Sequence, residues 1–328
     1  MRVIAIEEHF VTPTFVSGLG KASAERMRQA PGGGKLFDRL MNIGDARIAE
    51  MDAAGIDMQV LSLNSPGVEQ ADASEAIACA RDANDYLAAA IKAHPTRLAG
   101  FASLPIQSPD QAVIELKRCV LELGFKGANV NGHARGRYLD DPYFSPVLAC
   151  AESLSVPIYL HPTLPPEPVI NALYGGFPPA ISSVFAGKAW GWHIETATHV
   201  LRLVLGGVFD RYPALQVVIG HLGEGIPFMI ERLNRSFPVQ MTKLRRPVAD
   251  YLRQNLHYTF GGFNFMPTFL NVLLEVGVQR IMFSADYPYG TMEEGRSFLN
   301  NLPVSASDRQ CIAHGNAETL LNLPSATG

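Results

Sequence analysis

The feature that most constrains this chain is an alternation: short apolar runs of strand character recur eight times, with helical patterns in most of the gaps between them. The runs are Arg2 to Phe10, Met58 to Asn64, Arg97 to Pro105, Phe125 to Gly132, Val156 to Pro162, Leu215 to His221, His257 to Gly262 and Arg280 to Asp286. The helical patterns are Asp45 to Ala53, Ala73 to Ala93, Ser108 to Leu123, Pro142 to Leu154, Trp192 to Leu205, Ile226 to Arg235, Glu293 to Leu299 and Ser307 to Leu321. Asp45 is a good N-cap acceptor, Gly55 closes its helix, and Pro109 falls in a first turn. Eight strands alternating with helices predict an α/β fold, a single (β/α)8 TIM barrel. No break in composition divides the chain, so one domain is expected over residues 1–328, with inserted loops at about 11–44 and 163–191. An open doubly wound sheet is the other fold this order allows, but no G-x-G-x-x-G follows any strand.

Composition narrows the class of function. With 47% hydrophobic residues, 18% charged residues and a net charge of −4, the chain offers no polyanion-binding surface, and no nucleic-acid partner is expected. No apolar run reaches the roughly 18 residues of a membrane span, so no membrane is expected either. The first residues carry one basic side chain and then run into Glu7-Glu8-His9, without the apolar core of a signal peptide. Cys79, Cys119, Cys150 and Cys311 are scattered without C-x-x-C spacing, and the first three lie in apolar helical patterns. They read as buried thiols of a reducing compartment, the cytoplasm.

In barrels of this type the active site lies at the C-terminal ends of the strands. Those ends carry Glu7 and His9, His161, His221 and Asp286, including three of the chain's nine histidines. Strand alternation puts Val3, Ala5, Glu7 and His9 on one face, and Ile4, Ile6, Glu8 and Phe10 on the other. If Ile4 and Ile6 pack outward against helices, Glu7 and His9 look inward together. The other histidines lack this placement and read as structural: His94, His133 and His193 in loops or at a helix end, His199 within a helix, His257 at the opposite rim, and His314 near the last helix.

Six stretches now become specific: IEEHF at Ile6 to Phe10, DARIAEMDAAGID at Asp45 to Asp57, GFKGANVNG at Gly124 to Gly132, YLHP at Tyr159 to Pro162, GHLGEGIPFMIERLNR at Gly220 to Arg235, and FSADYPY at Phe283 to Tyr289. In order and context the chain resembles the amidohydrolase superfamily. Within it, the likeness is to the branch of aminocarboxymuconate-semialdehyde decarboxylase and the aromatic acid decarboxylases of γ-resorcylate, 2,3-dihydroxybenzoate and 5-carboxyvanillate type. By that resemblance Glu7, His9, His161 and Asp286 are the ligands of one divalent metal ion, Zn2+ or Mn2+. Hydrolytic members commonly begin with His-x-His, whereas Glu7-Glu8-His9 is similar to the decarboxylases. Binuclear members bridge two metals with a modified lysine at the end of strand four. Here that strand ends Asn129-Val130-Asn131, and Lys126 lies near its other end, so a single metal is expected.

The resemblance further implies non-oxidative decarboxylation of an ortho-hydroxylated aromatic acid, by protonation of a ring carbon and then loss of CO2. Asp286 would supply the proton, with His221 and Glu224 holding or relaying it. Arg232 would lie near the substrate carboxylate and Asn131 would bind a ring hydroxyl. The expected partners are a small aromatic acid and further copies of the chain, as a homodimer or homotetramer. Residues 163–191, with Phe177, Phe185 and Trp190, suit either a lid over the ring or a subunit interface. Hydrolysis of a lactone or of an aromatic ring-cleavage product, on the same barrel, is the competing reading.

Overall fold

The computed structural model describes residues 1–30 and 32–325, so position 31 of the first inserted segment and the last three residues lie outside the described residues. Its strands are β1 (Ile4–Phe10), β2 (Met58–Leu63), β3 (Leu98–Gly100), β4 (Ala102–Ser103), β5 (Ala128–Asn131), β6 (Ile158–His161), β7 (Val217–Ile219), β8 (Leu256–Thr259) and β9 (Ile281–Met282). All pairings are parallel, as crossover helices between successive strands require. One sheet runs β1-β2-β3 and the other β4 to β9 in chain order. Only Phe101 separates β3 from β4: its N–H donates to Leu61 O at 2.9 Å, and the N–H of Ala102 donates to Gly127 O at 2.9 Å. One extended stretch therefore passes from the first sheet into the second. At the far edges, Ile6 N–H donates to Phe283 O at 3.2 Å and His9 N–H to Tyr287 O at 2.8 Å.

The long helices match the periodicity within a few residues, among them Asp45–Ala54, Ala73–Ala93, Pro109–Leu121, Gly191–Leu205 and Ile226–Ser236. The two inserted segments depart from expectation because they contain helices. Residues 11–44 hold Pro13–Ser17, Lys21–Gln29 and Gly33–Met41, which bury Phe15, Phe37 and Leu40. Thr12 caps the first by accepting the N–H of Phe15 at 3.0 Å. Residues 163–191 hold Glu167–Leu173 and Pro179–Ala186. In both, prolines that read as breakers stand in first turns, where a missing N–H costs nothing. A helix at Met266–Val276, between β8 and β9, lies outside the expected set, and the final helix is interrupted by a π turn at Cys311–Gly315.

The core has two parts. A large cluster that includes Val3, Ala5, Phe10, Leu61 and Leu63 packs one face of the strands against the helices. A smaller one takes Ile4, Ile6, Met58, Val60, Phe101, Tyr159, Val218 and Met282 from the other face, with Ala317, Leu321 and Leu323 completing it. Ile4 and Ile6 thus pack inward, the reverse of the expectation. Glu7 and His9 reach the same side because β1 is bulged: Ala5 pairs with Gln59 but Glu8 with Leu61, three steps along one strand for two along the other. An extra residue inverts the alternation beyond it. Glu8, opposite Leu61, turns toward the outer cluster, while His9 stands opposite Ser62.

Candidate metal centre

At the C-terminal ends of β1 and β6, ligand atoms of Glu7, His9 and His161 lie within 4.8 Å of one another. His161 Nε2 is 4.0 Å from Glu7 Oε1, and Asp286 Oδ1, just past β9, is 3.2 Å from His9 Nε2. Glu7, His9 and His161 are buried. Glu7 Oε2 accepts the Thr259 hydroxyl at 2.6 Å and the Ser284 hydroxyl at 3.4 Å, and Tyr159 OH stands 3.0 Å from Thr259 Oγ1. These contacts fix the carboxylate and leave its other oxygen free. Among the described residues, Glu7 Oε1 and His9 Nε2 are buried without a hydrogen-bond partner. Buried polar atoms without partners are few in folded proteins; here they are lone pairs of a kind that a cation takes. Gly220 makes room, since a Cβ there would lie 2.3 Å from Glu7 Oε1. Two imidazoles and two carboxylates suit a divalent ion such as Zn2+ or Mn2+.

The electrostatics agree. Burial pushes the His9 imidazole down to about 4, and burial together with the neighbouring His9 pushes His161 down to about 3. Both rings are neutral at pH 7, the form that binds metals. Burial and then the charge of Glu7 hold the Asp286 carboxyl well above the usual carboxylate range.

Beside this group, after β7, the backbone turns through left-handed conformations at His221, Leu222 and Glu224 (φ 51°, 51° and 57°). The turn folds Glu224 back onto His221: His221 Nδ1 is 2.7 Å from Glu224 Oε1, and His193 Nδ1 is 2.5 Å from Glu224 Oε2. His193 Nε2 in turn lies 3.0 Å from Lys188 O and 3.0 Å from Trp192 Nε1. Phe263 packs against both imidazoles, at 5.1 and 5.2 Å between ring centroids. Burial opposes a charge on His221, but Glu224 and Glu7 outweigh it and push the ring up to about 10. Burial likewise opposes the Glu224 carboxylate, yet His221 and His193 hold it below the usual range. His193, His221 and Glu224 are also close enough to enclose an ion. Their facing atoms already bond one another, however, so a metal there would have to displace those bonds.

The other expected site residues fall in different places. Asn131, buried at the end of β5, pairs in register with His161; its N–H donates to Glu69 Oε1 at 2.7 Å and its Oδ1 has no partner. Arg232 is not brought to the cluster. Helix Ile226–Ser236 buries Ile226, Pro227 and Ile230, and two residues past Ile230 the helix has turned about 200°. Arg232 is therefore exposed, without a hydrogen bond or ion pair among the described residues. His193, expected as a structural loop histidine, is instead buried in helix Gly191–Leu205 and bonded to Glu224. Thr259, Ser284 and Glu69 were also missed; for Thr259 and Ser284 the signal available was a polar residue at or just past a strand end, while Glu69 lies six residues beyond β2 and gave none. Lys126 bonds Asn322 O at 3.4 Å, beneath the strands and away from the ligands.

Comparison with known proteins gives one consistent answer. The amidohydrolase family model matches residues 9–323. The γ-resorcylate decarboxylase of Polaromonas sp. (strain JS666) is 38% identical, over 98% of this chain and 98% of its own. The crystal structure of dihydroxybenzoic acid decarboxylase from Polaromonas sp. JS666, with bound manganese and the inhibitor 2-nitroresorcinol, superposes with a TM-score of 0.88 at 37% identity, covering 98% of this chain and 97% of that one. That of 5-carboxyvanillate decarboxylase from Novosphingobium aromaticivorans, complexed with manganese and 4-hydroxy-3-methoxy-5-nitrobenzoic acid, gives 0.90 at 30% identity, covering 98% and 96%.

Proposed function

From the premise that this chain belongs to the amidohydrolase family, we propose that it is a metal-dependent carboxy-lyase that removes CO2, without oxidation, from an ortho-hydroxylated aromatic acid of the γ-resorcylate (2,6-dihydroxybenzoate) type. The observation that carries this reading is the pair of buried, unpartnered atoms Glu7 Oε1 and His9 Nε2, in a chain similar to γ-resorcylate decarboxylase over 98% of its length. The fold we read as one (β/α)8 barrel in one domain, supported by the continuous stretch β3–β4 and by the hydrogen bonds from β1 to Phe283 and Tyr287.

Glu7, His9, His161 and Asp286 are the proposed ligands. A divalent ion held there, Mn2+ as in the two solved relatives or Zn2+, would supply positive charge toward the substrate carboxylate and the adjacent phenolate. Direct loss of CO2 would leave an aryl anion, far too basic to form, so the ring carbon that bears the carboxylate takes a proton first. The Asp286 carboxyl gives that proton; the C–CO2 bond then breaks, and its electron pair restores the aromatic ring. His221, 3.9 Å from Glu7 Oε1 and bonded to Glu224, holds a proton on its imidazolium and sets the charge around Asp286. Asn131, next to His161 and with a free Oδ1, accepts a ring hydroxyl. Phe263 is an apolar wall for the ring.

Leu173, Phe177, Ile181 and Trp190 of residues 163–191 are exposed, which supports assembly with further copies of the chain, as a homodimer or homotetramer. All four cysteines are free, in keeping with a cytoplasmic enzyme. The test is CO2 release from a panel of ortho-hydroxylated aromatic acids, before and after stripping with a chelator and re-addition of Mn2+ or Zn2+. Release from 2,6-dihydroxybenzoate that is lost with the metal and restored by it is the expected result. A metal-loaded protein that releases CO2 from no member of the panel overturns the reading.

A further inference from the structure

Glu8 points away from the proposed metal, yet it is fully buried and both its oxygens are engaged. Oε1 accepts the N–H of Ala285 at 2.8 Å and Oε2 the N–H of Tyr287 at 2.9 Å. These are the two residues that flank Asp286. Asp286 itself has φ 58°, a left-handed conformation costly for a residue with a Cβ, which persists only where the surroundings over-determine it.

A mismatch between β1 and the segment that follows β9 explains why a side chain does this work. Backbone bonding between β1 and the last strand runs from Ile6 N–H to Phe283 O and is met again at His9 N–H to Tyr287 O. Between them β1 advances three residues and the segment after β9 advances four, so the ladder is out of register there, and the Glu8 carboxyl group takes the amides of Ala285 and Tyr287 that a strand carbonyl would otherwise take. From the other side, the fully buried Arg47 donates to His9 O at 2.7 Å and lies 4.8 Å over the Tyr287 ring. Glu8 is thus joined by peptide bonds to two proposed ligands, Glu7 and His9, and by hydrogen bonds to both neighbours of a third.

We propose that Glu8 is a positioning residue of the metal centre: its carboxylate holds the Ala285–Tyr287 backbone so that Asp286 projects toward His9. The inference rests on the metal-site reading above. Glutamine has the right length but turns an NH2 toward one of two N–H donors. Aspartate keeps two acceptor oxygens but is one methylene too short to reach both amides.

The experiment is calorimetric titration of Mn2+ into chelator-stripped protein, for wild type, Glu8→Gln, Glu8→Asp and a control, Glu115→Gln, each checked for folding by circular dichroism. Glu115 is a buried carboxylate elsewhere, bonded to Asn84 and Arg118. Glu8→Gln and Glu8→Asp should each bind Mn2+ about 10–100-fold more weakly. The control should melt at a lower temperature and keep its Mn2+ affinity. Wild-type affinity in folded Glu8→Gln overturns the proposal. Should that variant not fold, wild-type affinity in Glu8→Asp overturns it equally. A wild-type protein that binds neither Mn2+ nor, in the same titration, Zn2+ overturns the metal reading and this inference together. The titration reads no CO2, so a wrong substrate assignment leaves its result unchanged.

Discussion

Two groups of the same residue types meet at a 3.9 Å approach between Glu7 and His221, and they use their hydrogen bonds in opposite ways. Around Glu7, His9, His161 and Asp286, Thr259 and Ser284 satisfy one carboxylate oxygen, while Glu7 Oε1 and His9 Nε2, the latter 3.2 Å from Asp286 Oδ1, make no hydrogen bond among the described residues. Along His221, Glu224 and His193 each carboxylate oxygen faces an imidazole nitrogen. Their proton affinities diverge accordingly: His9 and His161 are pushed down to about 4 and 3, His221 up to about 10. Composition and proximity alone do not distinguish a ligand set from a proton-holding set. The presence or absence of unsatisfied lone pairs does, and groups whose environments drive their pKa values apart take different roles in acid–base chemistry.

The largest break in this comparison comes from Glu7→Gln, which removes the bare charged oxygen. Mn2+ affinity and decarboxylation should each fall more than about 100-fold, measured by titration and by CO2 release. Glu224→Gln attacks the other group: kcat should fall about 100-fold while metal analysis still finds one Mn2+ per chain. Loss of the metal in that variant would show the second group to be ligands after all. His193→Leu leaves one oxygen of Glu224 unpaired but keeps its bond to His221, so a drop of about tenfold in kcat with full metal content is expected.

The smallest effect involves Glu69, a buried carboxyl that belongs to neither group. Burial pushes it up to about 7, against two bonds with Asn131 that pull it down. The native state then keeps a proton that the unfolded chain gives up above about 4.5. Stability from this source is fullest below that pH, falls as pH rises to about 7 and is flat above, by at most about 3 kcal/mol. Glu69→Gln removes the dependence, so its melting temperature relative to wild type should be higher at pH 8 than at pH 5. An equal difference at the two values would show that Glu69 does not carry a native-state proton.

Strand and helix order was legible because periodicity reports which side of an element is buried, and the long amphipathic helices follow it within a few residues. The helices in residues 11–44 and 163–191 were hidden by glycines and by prolines that start helices as readily as they end them. The resemblance names Glu7, His9, His161 and Asp286, which lie close together in the structure, but the reason Glu7 and His9 face inward was not legible. It lies in the bulge, and a bulge depends on pairing with β2, which a single strand's sequence does not record. His193 was missed for a related reason: its partner, Glu224, is 31 residues away and reached only through three left-handed residues. For Arg232 the motif fixes a position along a helix and not the side that faces the strands, and in the single chain Arg232 is exposed.

The small core cluster joins Ile4 and Ile6 to Ala317, Leu321 and Leu323, and Arg2 reaches Glu318 at 2.6 Å across 316 residues of chain. Synthesis therefore delivers the first strand long before the segment that covers it. Contacts of such range form only after most of the chain's freedom has been given up, and they slow folding. Until the Asn316–Leu320 helix docks, Ile4 and Ile6 are sticky surface on a half-made protein. A permuted chain, linked between the neighbouring Arg2 and Pro324 and opened in an exposed loop, would keep every contact of that cluster and shorten the wait.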